Sequence, residues 1–130
     1  LDLGFGTNIY KKNFSSIVRP IVLTNVFYTI DNNLLIATEI NSGKIIFSHD
    51  INQKISEHLK IGKKKVQFKS LMLLNDKIFI FLKNSYVVKF KINGEIYEIT
   101  KLPQKINSQP IIIDNSIIFL DKSNRVSIVD

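Results

Sequence analysis

The segment Leu71–Lys91 lies on Pro110–Asp130 without a gap at an offset of 39 residues. In that register Asn75-Asp76 meets Asp114-Asn115, Ile78 meets Ile117, Lys83 meets Lys122 and Val87 meets Val126. A third copy, Pro20–Glu39, joins at an offset of about 51 from the second, and the extra dozen residues fall between positions 52 and 65. Self-similarity at a fixed period constrains a fold more than any local propensity. Each unit is one supersecondary piece that buries its apolar faces only against its neighbours. The 130 residues therefore read as about three units, near 16–51, 66–100 and 107–130, with an inserted loop over 52–65, a segment that could instead be helical.

Within each unit the pattern is that of strands. Val22–Ile30, Leu34–Ile40, Lys77–Leu82, Tyr86–Ile92, Pro110–Ile113, Ile117–Leu120 and Arg125–Val129 are short runs rich in β-branched and aromatic residues. Polar pairs separate them: Asn32-Asn33, Asn75-Asp76, Asn84-Ser85, Asn93-Gly94 and Asp114-Asn115. Asn, Asp and Gly tolerate the left-handed backbone that tight hairpins need, so each pair predicts an antiparallel turn. A Gly turn and a fourth strand follow in the first two copies, Ser42-Gly43 then Lys44–Ser48, and Asn93-Gly94 then Glu95–Ile99. The third copy reaches Asp130 before any fourth strand. The inner runs Ile78-Phe79-Ile80-Phe81 and Ile117-Ile118-Phe119 are apolar on both faces, as a sheet sandwiched between two others must be. Four antiparallel strands in about 40 residues have the size of a propeller blade. The expected fold is all-β, a partial β-propeller of about three four-stranded antiparallel blades.

Composition narrows the chemistry. There is no Cys, which excludes a disulfide framework, a thiol nucleophile and a thiolate metal site. The longest wholly apolar run, Ile78–Leu82, is five residues, far below the roughly 18 of a membrane-spanning helix. The net charge of +7 rests on 16 Lys and only two Arg, Arg19 and Arg125. Ile, Asn and Lys supply 52 of the 130 residues, the bias of an AT-rich coding sequence, so much of the charge follows composition. Arg is the residue that phosphate and guanine recognition favours, and no specific nucleic-acid partner is expected. The chain begins at Leu1 with neither Met nor a signal-like segment, which reads as a processed or trimmed piece.

The stretch Leu35-Ile36-Ala37-Thr38-Glu39-Ile40-Asn41-Ser42-Gly43-Lys44-Ile45-Ile46-Phe47 resembles the repeat of pyrroloquinoline-quinone-type β-propellers. In that family a strand ending in an acidic residue leads through a Thr/Ser-Gly-Lys turn to a strand closing on Trp. Here Glu39 stands at the acidic place, Ser42-Gly43-Lys44 at the turn, and Phe47 where Trp is usual. The second copy has Lys91, Asn93-Gly94-Glu95 and Tyr97 at those places, and the third matches through Val126–Asp130. Leu1-Asp2-Leu3 is similar to the tail of a preceding outer strand. Two functions compete within the family. Quinone-dependent alcohol dehydrogenases hold a quinone and a metal ion over the propeller axis, usually with a tryptophan stack, and this chain has no Trp. The other branch, resembling the propeller lipoprotein of outer-membrane barrel assembly (BamB-like), keeps the repeat as a periplasmic scaffold for a protein partner. The resemblance thus implies a non-enzymatic scaffold in the periplasm or at the outer membrane, without a cofactor, binding a protein partner such as an assembly component. A blade segment of a quinone-dependent dehydrogenase, or a surface or carbohydrate-binding propeller, is the alternative.

Candidate sites are few. His49 and His58 have no third ligand in a metal-binding spacing. Asp31, Glu39, Asp76, Asp114, Asp121 and Asp130 recur at turns, where carboxylates accept from backbone amides. Gly4-Phe5-Gly6 lacks the rest of a dinucleotide fingerprint and reads as a loop. Tyr28, Phe79, Phe81, Phe90 and Phe119 read as core. The one charge cluster, Lys63, Lys64 and Lys65, is the candidate contact for a partner or an anionic surface. Open blade faces and an unpaired strand edge at the ends predict self-association or dependence on further blades.

Overall fold

The computed structural model describes residues 18–129. Gly4-Phe5-Gly6, Leu1-Asp2-Leu3 and Asp130 lie outside the described residues. The described residues fold as three antiparallel sheets in sequence order. Blade 1 holds β1 (Ile21–Leu23), β2 (Val26–Asp31), β3 (Leu34–Glu39) and β4 (Ile45–Asp50). A helix, α1 (Ile51–Leu59), leads to blade 2: β5 (Phe68–Leu74), β6 (Lys77–Leu82), β7 (Tyr86–Lys91) and β8 (Ile96–Lys101). Blade 3 holds β9 (Ile111–Ile113), β10 (Ser116–Leu120) and β11 (Val126–Val129). The sheets therefore have four, four and three strands, each pairing with its sequence neighbour.

The turns follow the residues that occupy them. Asn75-Asp76 and Asp114-Asn115 each join paired strands through two residues with φ between 48° and 62°. Positive φ at both centres is the hairpin geometry whose twist matches that of the strands. The run Val22–Ile30 is not one strand: it breaks at Thr24, which takes φ 56°, so that β1 folds back on β2. A β-branched residue rarely adopts that backbone, which is why the break is invisible in propensity. Strand pairing also explains the inexact offset of the first copy. Ile30 pairs with Leu35, whereas Phe81 pairs with Val87 and Leu120 with Val126. The β2–β3 turn is one residue shorter, and the offset moves from 51 to 52 beyond it.

The inserted segment over 52–65, open in sequence between a helix and a looped excursion, is both in turn, with α1 filling Ile51–Leu59 and irregular chain after it. Asp50 caps the helix, its carboxylate accepting from the Gln53 amide at 3.0 Å. Ile51 and Ile55 lie on one face, one turn apart, and pack into the core between blades 1 and 2. Lys60 closes the helix in the left-handed conformation, φ 56°.

Two apolar layers hold the blades together. Between blades 1 and 2 lie Tyr28, Ile30, Leu35 and Ala37 from one sheet and Ile78, Ile80, Val88 and Phe90 from the next. Between blades 2 and 3 lie Phe79, Phe81 and Val87 against Ile117 and Phe119. Along β6 successive side chains thus alternate between the preceding and the following blade, and all five from Ile78 to Leu82 are buried. Fully burying each contributes about 1.5–3 kcal/mol relative to exposure. Polar contacts join the blades further out, where the Tyr28 hydroxyl donates to the Ile92 carbonyl at 3.3 Å and Lys54 meets Glu95 at 3.0 Å.

Candidate functional site

Strand alternation brings the β2–β3, β6–β7 and β10–β11 turns to the same edge of the blades as the connectors between them. Backbone bonds tie the two sets together. The Lys83 amide donates to the Gln67 carbonyl at 3.0 Å, and its repeat partner Lys122 donates to Lys105 at 2.8 Å. In blade 1 the Ile51 amide donates to the Asn33 carbonyl at 2.8 Å. This edge carries Lys63, Lys64 and Lys65 together with Lys83, so the cluster seen in sequence is enlarged by a cation from a turn 18 positions beyond it.

Between these loops lies a cleft of about 520 Å³, lined by Asn32, Asn33, Asn52, Lys63, Lys65, Gln67 and Lys83 over Val66 and Phe68. Lys63 is engaged, its Nζ 2.7 Å from Oδ2 of Asp50. That hydrogen bond, more than any other influence, holds the Asp50 carboxyl below its ordinary range. Among the described residues Lys65 and Lys83 have no ion-pair partner. At the floor Asn52 is 6% exposed, and its Oδ1 is buried with no hydrogen-bond donor. A second groove of about 210 Å³ runs between α1 and blade 2, lined by Ile55, Leu59, Val66, Tyr86 and Ile99 with Lys64 and Lys65 at its rim. Asn52 borders both spaces. Asn52 and Lys83 escape sequence reading because the cleft is assembled from three separate loops and the first turn of α1. The one available signal is that Lys83 and Lys122 occupy the same place in two copies.

The other candidates are dispersed. His49 stacks on Phe47 with centroids 4.7 Å apart, against Gly94 of blade 2. His58 lies in the last turn of α1. No group of three metal-ligating side chains occurs among the described residues. Glu39 accepts from the Ser42 hydroxyl at 2.7 Å within its own turn. Asp76 and Asp114 are turn residues with left-handed backbone. Asp31 ends β2. Asp121 is buried and accepts from the amides of Ser123 and Arg125 at 2.8 and 3.0 Å. The Arg125 amide foremost holds its carboxyl below the usual range. Phe47, at the place of the usual Trp, packs beside Tyr28 in the interblade layer, whereas Tyr97 is exposed under the Lys77 ammonium.

No protein-family model matches the chain, and no curated protein matches it in sequence. Solved structures do match in shape. BamB from Moraxella catarrhalis superposes with a TM-score of 0.69 at 11% identity over 88% of this chain and 32% of its own. Quinohemoprotein alcohol dehydrogenase from Comamonas testosteroni gives 0.57 at 16% identity, over 82% of this chain and 17% of its own. The computationally designed Ika4 protein gives 0.53 at 10% identity and 94% of both chains. This chain thus spans about a third of the length of BamB. At these identities the likeness is one of fold: the chain is all-β, and its three antiparallel sheets are blades of a β-propeller.

Proposed function

We propose that the chain is part of a non-enzymatic propeller scaffold that holds a protein partner, as the repeat's resemblance to the barrel-assembly lipoprotein implies. The periplasmic or outer-membrane setting belongs to the same proposal. The observation that carries it is the cleft at the connector edge, where Lys65 and Lys83 have no acidic partner among the described residues and stand beside the under-bonded amide of Asn52. An acidic, extended segment of a partner suits that chemistry. Its carboxylates meet the two ammonium groups, and its backbone N–H is the donor that the Asn52 amide lacks once turned toward the cleft. Among the described residues the carboxyls whose acidity departs from normal are Asp50, Glu95, Glu98 and Asp121. All four shift downward, each tied first to a lysine or a turn amide. Fixed charge of this kind suits structure rather than proton transfer, which needs pKa values driven apart.

A blade segment of a quinone-dependent dehydrogenase is the second reading, favoured by the fold likeness to the Comamonas enzyme. Fluorescence anisotropy with a labelled Asp/Glu-rich decapeptide tests the scaffold site. Binding should weaken at least tenfold in the Lys65→Glu/Lys83→Glu variant and fall with added salt. Equal binding by the variant removes the cleft from the proposal. Alcohol turnover with a spectral change after adding quinone and calcium would replace the scaffold by the dehydrogenase reading.

A further inference from the structure

The groove between α1 and blade 2 adjoins the cationic cleft, since Asn52, Lys65 and Val66 line both spaces. The helix shapes it. Ile51, Ile55 and Leu59 follow one another at four-residue spacing, which puts them on one face of α1. Ile51 is fully buried, Ile55 half-buried and Leu59 42% exposed, so burial falls along that face toward the helix C-terminus, where the groove is open. Leu82 and Val88 give the groove a buried apolar lining, with Val66, Tyr86 and Ile99 half-buried around it. Past the left-handed Lys60 the chain leaves the helix, and exposed Ile61 adds to the apolar lip.

We infer that this groove takes one large apolar side chain, aromatic or long aliphatic, from the same acidic segment that the cleft holds. The inference rests on that reading of the cleft and adds an anchor residue to its partner. Three observations select the occupant. At about 210 Å³ the groove is smaller than the roughly 300–1,000 Å³ that takes a drug-sized molecule, and it suits a single side chain. Its charge is one-sided: Lys64 and Lys65 stand at the rim without ion-pair partners, and among the described residues no carboxylate lines either space. An apolar residue flanked by acids therefore meets matching charge at the mouth. The two spaces also join at Asn52, whose buried Oδ1 lacks a donor. An extended segment sends alternate side chains in opposite directions, so one residue enters the groove while its neighbours keep their carboxylates beside Lys65 and Lys83. Anchors seated in an apolar pocket within a polar rim carry most of the energy of protein interfaces.

The chain has no Trp, so a Trp in the partner peptide is the only indole in the mixture. Two unlabelled Asp/Glu-rich decapeptides, alike except for Trp or Gly at the centre, are titrated by calorimetry into the parent chain. A Leu59→Gln/Ile61→Gln variant and a Val22→Gln control accompany it. These three sites are 42%, 46% and 56% exposed, so the folded chain tolerates the changes. The Trp peptide should bind the parent and the control roughly tenfold more tightly than the Gly peptide, with its emission shifted to the blue. The two peptides should bind the double variant alike. The Gly peptide reports the cleft alone, which separates the two readings. Equal affinities in the parent, an emission maximum unmoved on binding, or a gain kept by the double variant would overturn the anchor and leave the cleft standing. Binding of neither peptide to the parent would overturn both. Decanoate held more tightly than the Trp peptide would make the groove an acyl-chain site and overturn the anchor.

Discussion

His49, near the end of β4, lies against the α-carbon of Gly94 in the β7–β8 turn, so that blades 1 and 2 interlock at their outer strands with no room for a side chain at residue 94. A Cβ there would stand 2.7 Å from Nε2 of His49 and 2.9 Å from Cε1 of Phe47. Gly94 also takes φ +89°, which L side chains resist. Gly94→Ala should therefore destabilise by roughly 1–3 kcal/mol in urea unfolding. Adding His49→Ala should recover the steric part and leave the backbone part. Simple additivity of the two changes would show that the contact is not a clash.

Phe81 is fully buried on β6 and meets Phe119 edge-on, with ring centroids 6.1 Å apart. Phe81→Ala removes the main wedge between blades 2 and 3 and should cost about 3–5 kcal/mol. Leu23→Ala, at the half-buried margin of the other layer, should cost less because fewer contacts vanish. Thermal unfolding of both variants checks the order.

Acid should unfold the chain through its carboxylates. Asp50, Glu95, Glu98 and Asp121 have folded pKa values below their unfolded ones. Their stabilisation is complete above the unfolded values, about 3.9 for Asp and 4.3 for Glu, and is lost as pH falls through the lower folded values. Stability should thus be insensitive to these groups above about pH 5.5 and fall steeply below about pH 4. Asp121→Asn should shallow the acid limb. An unchanged limb in that variant would remove Asp121 from the account.

Lys89 is a buried cation, its Nζ 2.7 Å from Glu98 and 5.3 Å from the Phe79 ring centre. The equivalent cross-strand partners are Ala37 in blade 1 and Ile128 in blade 3, both apolar. Glu98 is half exposed and stays hydrated once the ammonium is gone, so replacing the buried cation by an apolar side chain leaves no buried unpaired charge, and Lys89→Met should hold or raise the melting temperature. A large drop would mean that the ammonium fixes the packing of blade 3.

The architecture was legible wherever one residue type had one physical use. Asn75-Asp76 and Asp114-Asn115 announced hairpins because few other pairs accept both left-handed positions, and the 39-residue register announced the blades. Thr24 hid a turn because its side chain favours strands. Helix α1 was legible only as a segment, 52–65, that could be helical or a looped excursion, because it starts directly at the end of β4, where Asp50 both closes the strand and caps the helix. Of the candidate edge, Lys63, Lys64 and Lys65 were legible as a cluster. That Lys63 is engaged by Asp50, and that Lys83 and Asn52 join the cleft, depends on contacts between loops that no local pattern encodes.

The alternation along β6 has a consequence for how such a chain drifts over time. With Ile78, Ile80 and Leu82 facing one neighbour and Phe79 and Phe81 the other, this buried run of five consecutive residues has no side on which to change alone. Volume gained or lost at one position must be matched across an interface. Odd and even positions then keep separate histories, one shared with blade 1 and the other with blade 3. In a set of related sequences, substitutions at Phe79 and Phe81 should travel with those at Ile117 and Phe119, while changes at Ile78 and Ile80 travel with Tyr28 and Leu35.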